Sequence, residues 1–184
     1  MSIDPATFAR LREIADELSQ LPMKPRVEIG PEGLVMMMSS STPHGFTAMN
    51  LARQVMAQTP EMYGLTDTNV QDARLGRVRV PDLMVLREDL IAEQPQEGVN
   101  PQDLELVAEI VSRTNPENDY RDKIADYSAM GIPLYLIVDP DRGTVQVHSE
   151  PNGTDYAKTR TYDYGEPVPV GRWLIATDRF PRYR

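Results

Sequence analysis

Residues 104–140 read LELVAEIVSRTNPENDYRDKIADYSAMGIPLYLIVDP. Leu104–Ser112 is apolar on both sides of Glu109, which predicts a strand buried on both faces at the centre of a sheet. Thr114-Asn115-Pro116 then opens a helix, because proline suits a first helical position whose N–H has no partner anyway. Gly131 stands where a helix C-terminus takes a left-handed residue. Leu134–Asp139 is a second buried strand. Strand, helix and strand across 104–139 make a crossover between parallel neighbours. The fold class that follows is α/β (α+β), a mixed β-sheet flanked by helices.

Outward from this unit the pattern continues on both sides. Pro140-Asp141-Arg142-Gly143 is a turn, Thr144–His148 a strand, and weaker strands follow near Tyr156–Tyr162 and Val170–Ile175. Residues 88–102, with Pro95, Gly98 and Pro101, read as a surface loop. Arg79–Leu86 reads as a strand in which Pro81 marks an edge or a bulge. Residues 59–77 are rich in turn formers and define no element. A helix from Thr42 or Pro43 turns Ala48, Leu51, Ala52 and Val55 inward, with His44 on the same stripe in its first turn. Arg26–Gly30 and Leu34–Ser39 flank the turn Pro31-Glu32-Gly33. Residues 5–19 carry Phe8, Leu11, Ile14, Ala15 and Leu18 at helical spacing. The 184 residues suit one domain, with the N-terminal helix and hairpin (about residues 1–40) packed on the core.

Composition narrows the function classes. No apolar run approaches the ~20 residues of a membrane span, so no membrane partner is expected. The N-terminus lacks the basic start and apolar core of a signal peptide. The chain has no cysteine, which excludes thiolate zinc sites and cysteine nucleophiles; a cytoplasmic location is the default expectation. The net charge of −9, from 28 acidic and 19 basic residues, is the opposite of a protein that grips nucleic acid by bulk charge. A local basic patch or a bound cation can still offset that charge at one site.

Three charged residues occupy places where apolar ones are expected. Asp82 precedes Leu83-Met84-Val85-Leu86, Glu109 is embedded in Val107-Ala108-Glu109-Ile110-Val111, and a carboxylate there needs a partner or a metal. On the helix Pro116–Met130 the inward stripe is Tyr120, Ile124 and Tyr127. At roughly 100° per residue Lys123 projects beside it, while Arg121, Asp122 and Asp126 point elsewhere. Two carboxylates and a lysine suit phosphodiester hydrolysis, and oxygen ligands select a hard ion, Mg²⁺ or Mn²⁺. Plainer readings stand beside these. Asp82 fits a strand end, Glu109 and Lys123 fit a buried ion pair, and Lys123 could snorkel out along Tyr127. His44 fits a hydrogen-bonded helix-end histidine, Tyr127 core packing, Asp139 a turn cap and His148 a solvent-facing strand position. Met36, Met37 and Met38 read as strand residues.

The segments VRVPDLMVL, LVAEIVSRTNPENDYRDKIADYSAMGIPLYLIVDP and TVQVH resemble the Uma-two family of restriction-endonuclease-like proteins, within the PD-(D/E)XK nuclease superfamily, over roughly residues 10–175. The resemblance implies a restriction-endonuclease-like fold and an Mg²⁺-dependent endodeoxyribonuclease acting on DNA. It implies Asp82, Glu109, Lys123 and His44 as catalytic residues, with Asp82, Glu109 and the main-chain carbonyl of Ile110 on the metal. Val111 stands where the superfamily carries its lysine, and Lys123 on the helix matches the migrated position. Ser112-Arg113-Thr114-Asn115 replaces the usual Ser-Pro-Ser-Thr, and Glu117, Asp119, Asp122 and Asp126 make the helix more acidic than in relatives. The alternative is an inactive nuclease fold serving as a binding or interaction module. A homodimer would supply two centres for two strands.

Overall fold

The computed structural model describes residues 2–37, 41–113 and 116–183. Helix α1 (Pro5–Ser19) starts at Asp4, whose side chain accepts from the amides of Ala6 and Thr7 at 3.1 and 3.0 Å, satisfying two of the donors that a helix start leaves open. Strands β1 (Arg26–Gly30) and β2 (Gly33–Met37) form an antiparallel hairpin, with Gly33 at the positive φ of 120° its turn requires. Helix α2 (Thr42–Gln58) follows, then β3 (Met62–Leu65), β4 (Val70–Asp72), β5 (Arg77–Arg79) and β6 (Leu83–Arg87). After β7 (Leu104–Ile110) comes one wide π-type turn, Asn118–Asp122, running directly into α3 (Lys123–Ala129). Strands β8 (Leu134–Asp139), β9 (Thr144–Pro151) and β10 (Tyr156–Asp163) and the hairpin β11–β12 (Val168–Val170, Trp173–Ile175) complete the order.

Six strands form one sheet in the order β10-β9-β8-β7-β6-β3, and four form a second in the order β2-β1-β5-β4. Strands β7 and β8 pair in parallel, with Glu109 opposite Ile137, so the central strand and its crossover stand as read. Alternation along the strands divides the core. One face of the large sheet (Leu83, Val85, Leu106, Ala108, Ile110) packs on α2 and on β11–β12. The other (Met84, Leu86, Val107, Val111, Ile137) packs on Tyr127 and Met130 of α3 and its C-terminus. Phe8 of α1 meets Ile29 and Val78 of the small sheet.

Several expectations are corrected. The region 59–77 holds two strands, short enough for turn residues to hide them. Residues 88–102 include a 3-10 segment at Glu88–Glu93, and a second covers Pro101–Asp103. The supposed strand Arg79–Leu86 is broken at Val80–Asp82: β5 pairs with β1 and β4, β6 with β3 and β7. Pro81, which has no N–H to give a ladder, sits in the break where the chain changes sheets. Asp82 therefore lies just before a strand, not inside one. The late strand near Val170–Ile175 is a hairpin, turning at Gly171 with φ 57°. His148 is not solvent-facing but 3% exposed, because β9 runs between β8 and β10; it stacks on Tyr135 at 5.7 Å, and its Nδ1 lies 3.0 Å from Thr159 Oγ1. Met38, Thr114 and Asn115 lie outside the described residues.

Candidate active site

Five parts of the chain meet at a cleft of about 660 Å³ lined by His44, Asp82, Glu109, Ile110, Asp119 and Lys123, among others. The break before β6 presents Asp82. The end of β7 presents Glu109 and Ile110, the wide turn and α3 present Asp119 and Lys123, the first turn of α2 presents His44, and β1 contributes Arg26. The four residues proposed from sequence as catalytic thus border one cavity.

Asp82 is 6% exposed and held from three sides. Its Oδ1 accepts from Arg26 Nη1 at 2.9 Å, and its Oδ2 accepts from the Ile110 amide at 2.9 Å. His44 Nε2 lies 2.7 Å from the same Oδ2. At that separation the two groups are in close polar contact, although Nε2 is not aligned for a hydrogen bond. Burial alone would raise the Asp82 carboxyl. The contact with His44, the charge of Lys123 and the Ile110 amide outweigh it and lower the pKa to about 2.

Lys123 is 2% exposed, which excludes the snorkelling alternative. Its ammonium lies 2.9 Å from Glu109 Oε1, 3.1 Å from Asp119 Oδ1 and 3.7 Å from Glu28 Oε1. Burial works against its charge, but these carboxylates and Asp82 raise its pKa, so it stays an ammonium. Glu109 also accepts from the Tyr127 hydroxyl at 2.5 Å; Tyr127 is core residue and polar partner at once. Burial, and then the charges of Asp82, Asp119 and Glu28 against the opposing pull of Lys123, hold Glu109 well above the usual carboxylate range. Asp119 is raised for the same reasons, burial first. Lys123 thus faces more carboxylates than its single charge can balance, and the surplus falls on Glu109.

Beneath this cluster lies a second buried layer. Arg79 Nη1 donates to Glu28 Oε2 at 2.9 Å, its Nη2 reaches Asp126 Oδ2 at 2.6 Å, and Arg77 Nε donates to Asp126 Oδ1 at 3.0 Å. Glu28 Oε1 also accepts the Val80 amide at 3.0 Å, pinning the break before Asp82. Burial would raise Glu28, but Lys123 and Arg79 lower it, so it stays ionised. Sequence reasoning missed this layer and directed Asp126 elsewhere; it is 6% exposed. Its signals were present. Glu28 stands between Val27 and Ile29 just as Glu109 stands among apolar neighbours. Arg77 and Arg79 alternate on one face of RVRV. Asp119, Lys123, Asp126 and Met130 recur at four, three and four residues, the spacing of a helix face. Asp139 caps the turn as expected, accepting from the amides of Asp141 and Arg142 at 2.9 Å each.

The donors fit a hard cation. Glu109 and Asp82 offer side-chain oxygens. A residue's N–H and C=O leave an extended strand on the same side, so the Ile110 carbonyl faces the edge where its amide meets Asp82. The surplus negative charge around Lys123 is what a divalent ion would balance. Among the described residues no three His, Asp or Glu side chains form a ready-made cage; magnesium commonly uses one or two carboxylates and keeps several waters. Among these residues, too, no helix is long and apolar enough to cross a membrane.

A solved structure described as "Crystal structure of a putative nuclease belonging to DUF820 from Anabaena variabilis ATCC 29413" superposes with a TM-score of 0.68 over 90% of this chain and 96% of that one, at 16% identity. At that identity the likeness is one of fold. No curated protein matches. Residues 15–175, from within α1 to the end of β12 and so including every residue named above around the cleft, match the family Uma2, described as "Putative restriction endonuclease", and to that nuclease family this chain belongs.

Proposed function

We propose that the chain is an Mg²⁺- or Mn²⁺-dependent endonuclease that hydrolyses DNA phosphodiesters at this cleft. The observation that carries the reading is the union of Asp82, kept ionised, with Glu109, which is crowded by other carboxylates and lies 2.9 Å from a buried ammonium. Asp82, Glu109 and the Ile110 carbonyl would hold the ion. When bound, it supplies positive charge to the phosphate and acidifies a water ligand. Lys123 keeps a fixed positive charge at the cleft floor, where negative charge builds on the phosphorane. Tyr127 orients Glu109 through its hydroxyl. His44 supports the ionised Asp82 through the close approach of its Nε2 to Oδ2.

Conversion of supercoiled plasmid to nicked and linear forms tests the reading. Cleavage is expected with Mg²⁺ or Mn²⁺, and none with EDTA or in Asp82→Ala or Glu109→Gln. Parental cleavage rates in both variants would overturn it. A non-cleaving binding module is the second reading, favoured by the engagement of Lys123 with three carboxylates and of Asp82 with Arg26, His44 and Ile110. Its mark would be ion-independent DNA binding without cleavage. If both strands are cut in concert, a homodimer is the proposed assembly, and sedimentation would read it.

A further inference from the structure

Arg26 stands between the cleft and a second, smaller cavity of about 180 Å³ beneath α1, and it lines both. Its guanidinium is divided. Nη1 donates to Asp82 Oδ1 at 2.9 Å, and Nη2 pairs with Asp67. The arm spans from a buried carboxylate, 7% exposed, to a solvated one, 69% exposed. Arg26 and Glu28, two positions apart on β1, leave the strand on the same face, and the Arg26 side chain is 19% exposed.

A carboxylate has about four acceptor sites, and Arg26, His44 and the Ile110 amide already approach Asp82. A cation taking the site left on Oδ1 comes against the guanidinium there, and the two positive charges repel at contact distance, which weakens the Nη1 contact. Release of Nη1 leaves a charged fork at the wall of the cleft, anchored on one side by Asp67. A planar fork matches two oxygens of a phosphate better than any other side chain does. The substrate of a nuclease brings such oxygens to this place.

We infer that Arg26 is a phosphate-binding residue that exchanges Asp82 for the substrate's phosphate when a divalent ion takes Asp82; this rests on the nuclease reading above. In the ion-free protein Arg26 competes with the ion for Asp82. In the loaded protein it holds the substrate. The two roles give opposite signs in one variant. Arg26→Ala is expected to bind Mn²⁺ roughly tenfold more tightly, the scale of one charge-assisted hydrogen bond removed from competition. The same variant is expected to bind a short fluorescein-labelled DNA duplex with a phosphorothioate backbone roughly tenfold more weakly in Mn²⁺.

Calorimetry with Mn²⁺ alone and anisotropy with the duplex read the two effects, and thermal melting checks the fold. Arg26→Lys keeps a charge but loses the fork, so tighter Mn²⁺ binding with part of the duplex affinity retained is expected; if Arg26→Ala does not fold, Arg26→Lys decides. Mn²⁺ affinity that is unchanged or weakened in the folded variants, or duplex affinity in Mn²⁺ that stays parental, overturns the inference and leaves the nuclease reading standing. Parental protein without Mn²⁺ uptake, or with uptake that survives Asp82→Ala, overturns both.

Discussion

Lys123 answers to two demands at once, because the charge that would serve catalysis also neutralises carboxylates buried around it. Removing one partner of a buried ionic cluster costs roughly 3–5 kcal/mol. Lys123→Ala is therefore expected to lose about that much stability in EDTA and to stop cutting plasmid. Mn²⁺ should raise its melting temperature more than it raises the parent's, since the variant has more negative charge to balance. Equal shifts would count against a cation site here. Glu109 makes a pH prediction. Its folded pKa lies above its ordinary 4.5, so the native state binds more protons, and the contribution to stability is complete below that value and lost as pH rises through the raised one. In EDTA, Glu109→Gln should match the parent below pH 4.5 and gain on it as the pH rises above that value. A constant difference across that range would contradict the shift. Asp82, Glu109, Lys123 and His44 were legible as residues because three were charges in apolar surroundings and the family resemblance supplied the fourth. Arg26 and Asp126 were not, because an ion-pair partner far along the chain, 56 and 47 positions from Asp82 and Arg79 respectively, leaves no local pattern.

At the scale of elements, periodicity served best where packing is apolar and regular. The strand–helix–strand unit over 104–139 could be read because both strands are buried on each face. The stripe on its helix was read too narrowly: Tyr120, Ile124 and Tyr127 with Lys123 beside them were taken as inward, whereas Asp119 and Asp126 are buried as well. The break at Val80–Asp82 was hidden because a strand that changes sheets keeps its alternation. The placement of α2, and so of His44, rests on close contact with β3. A methyl added at Gly64 would meet Ala52 Cβ at 2.8 Å and Leu83 Cδ1 at 3.1 Å. Overpacking of that kind costs about 1–3 kcal/mol. Gly64→Ala should lower the melting temperature and, by shifting α2, weaken cleavage beyond the loss of folded protein. Parental activity per folded molecule would show that His44 does not need this spacing.

For the whole molecule, the charge of −9 and the site's chemistry pull apart. An acidic surface repels a phosphate backbone over about a Debye length, roughly 8–10 Å at ordinary salt, so on the proposed reading long-range capture of DNA is expected to be weak and the cleft to act at contact. Glu117 is exposed immediately before the wide turn that leads into α3. Glu117→Lys is expected to tighten duplex binding several-fold at low salt, with the gain vanishing as salt rises. A salt-independent gain would point to a specific contact instead.

The three residues Val80–Asp82 join the sheets directly, with Val80 tied to Glu28 and Asp82 tied to Arg26. The site is thus stapled across a seam between two separately hydrogen-bonded bodies. Any partial opening that frees the amides of β1 to exchange with solvent also withdraws Arg26 and Glu28, so the time each molecule spends competent is set by the weaker sheet rather than by the core beneath Glu109.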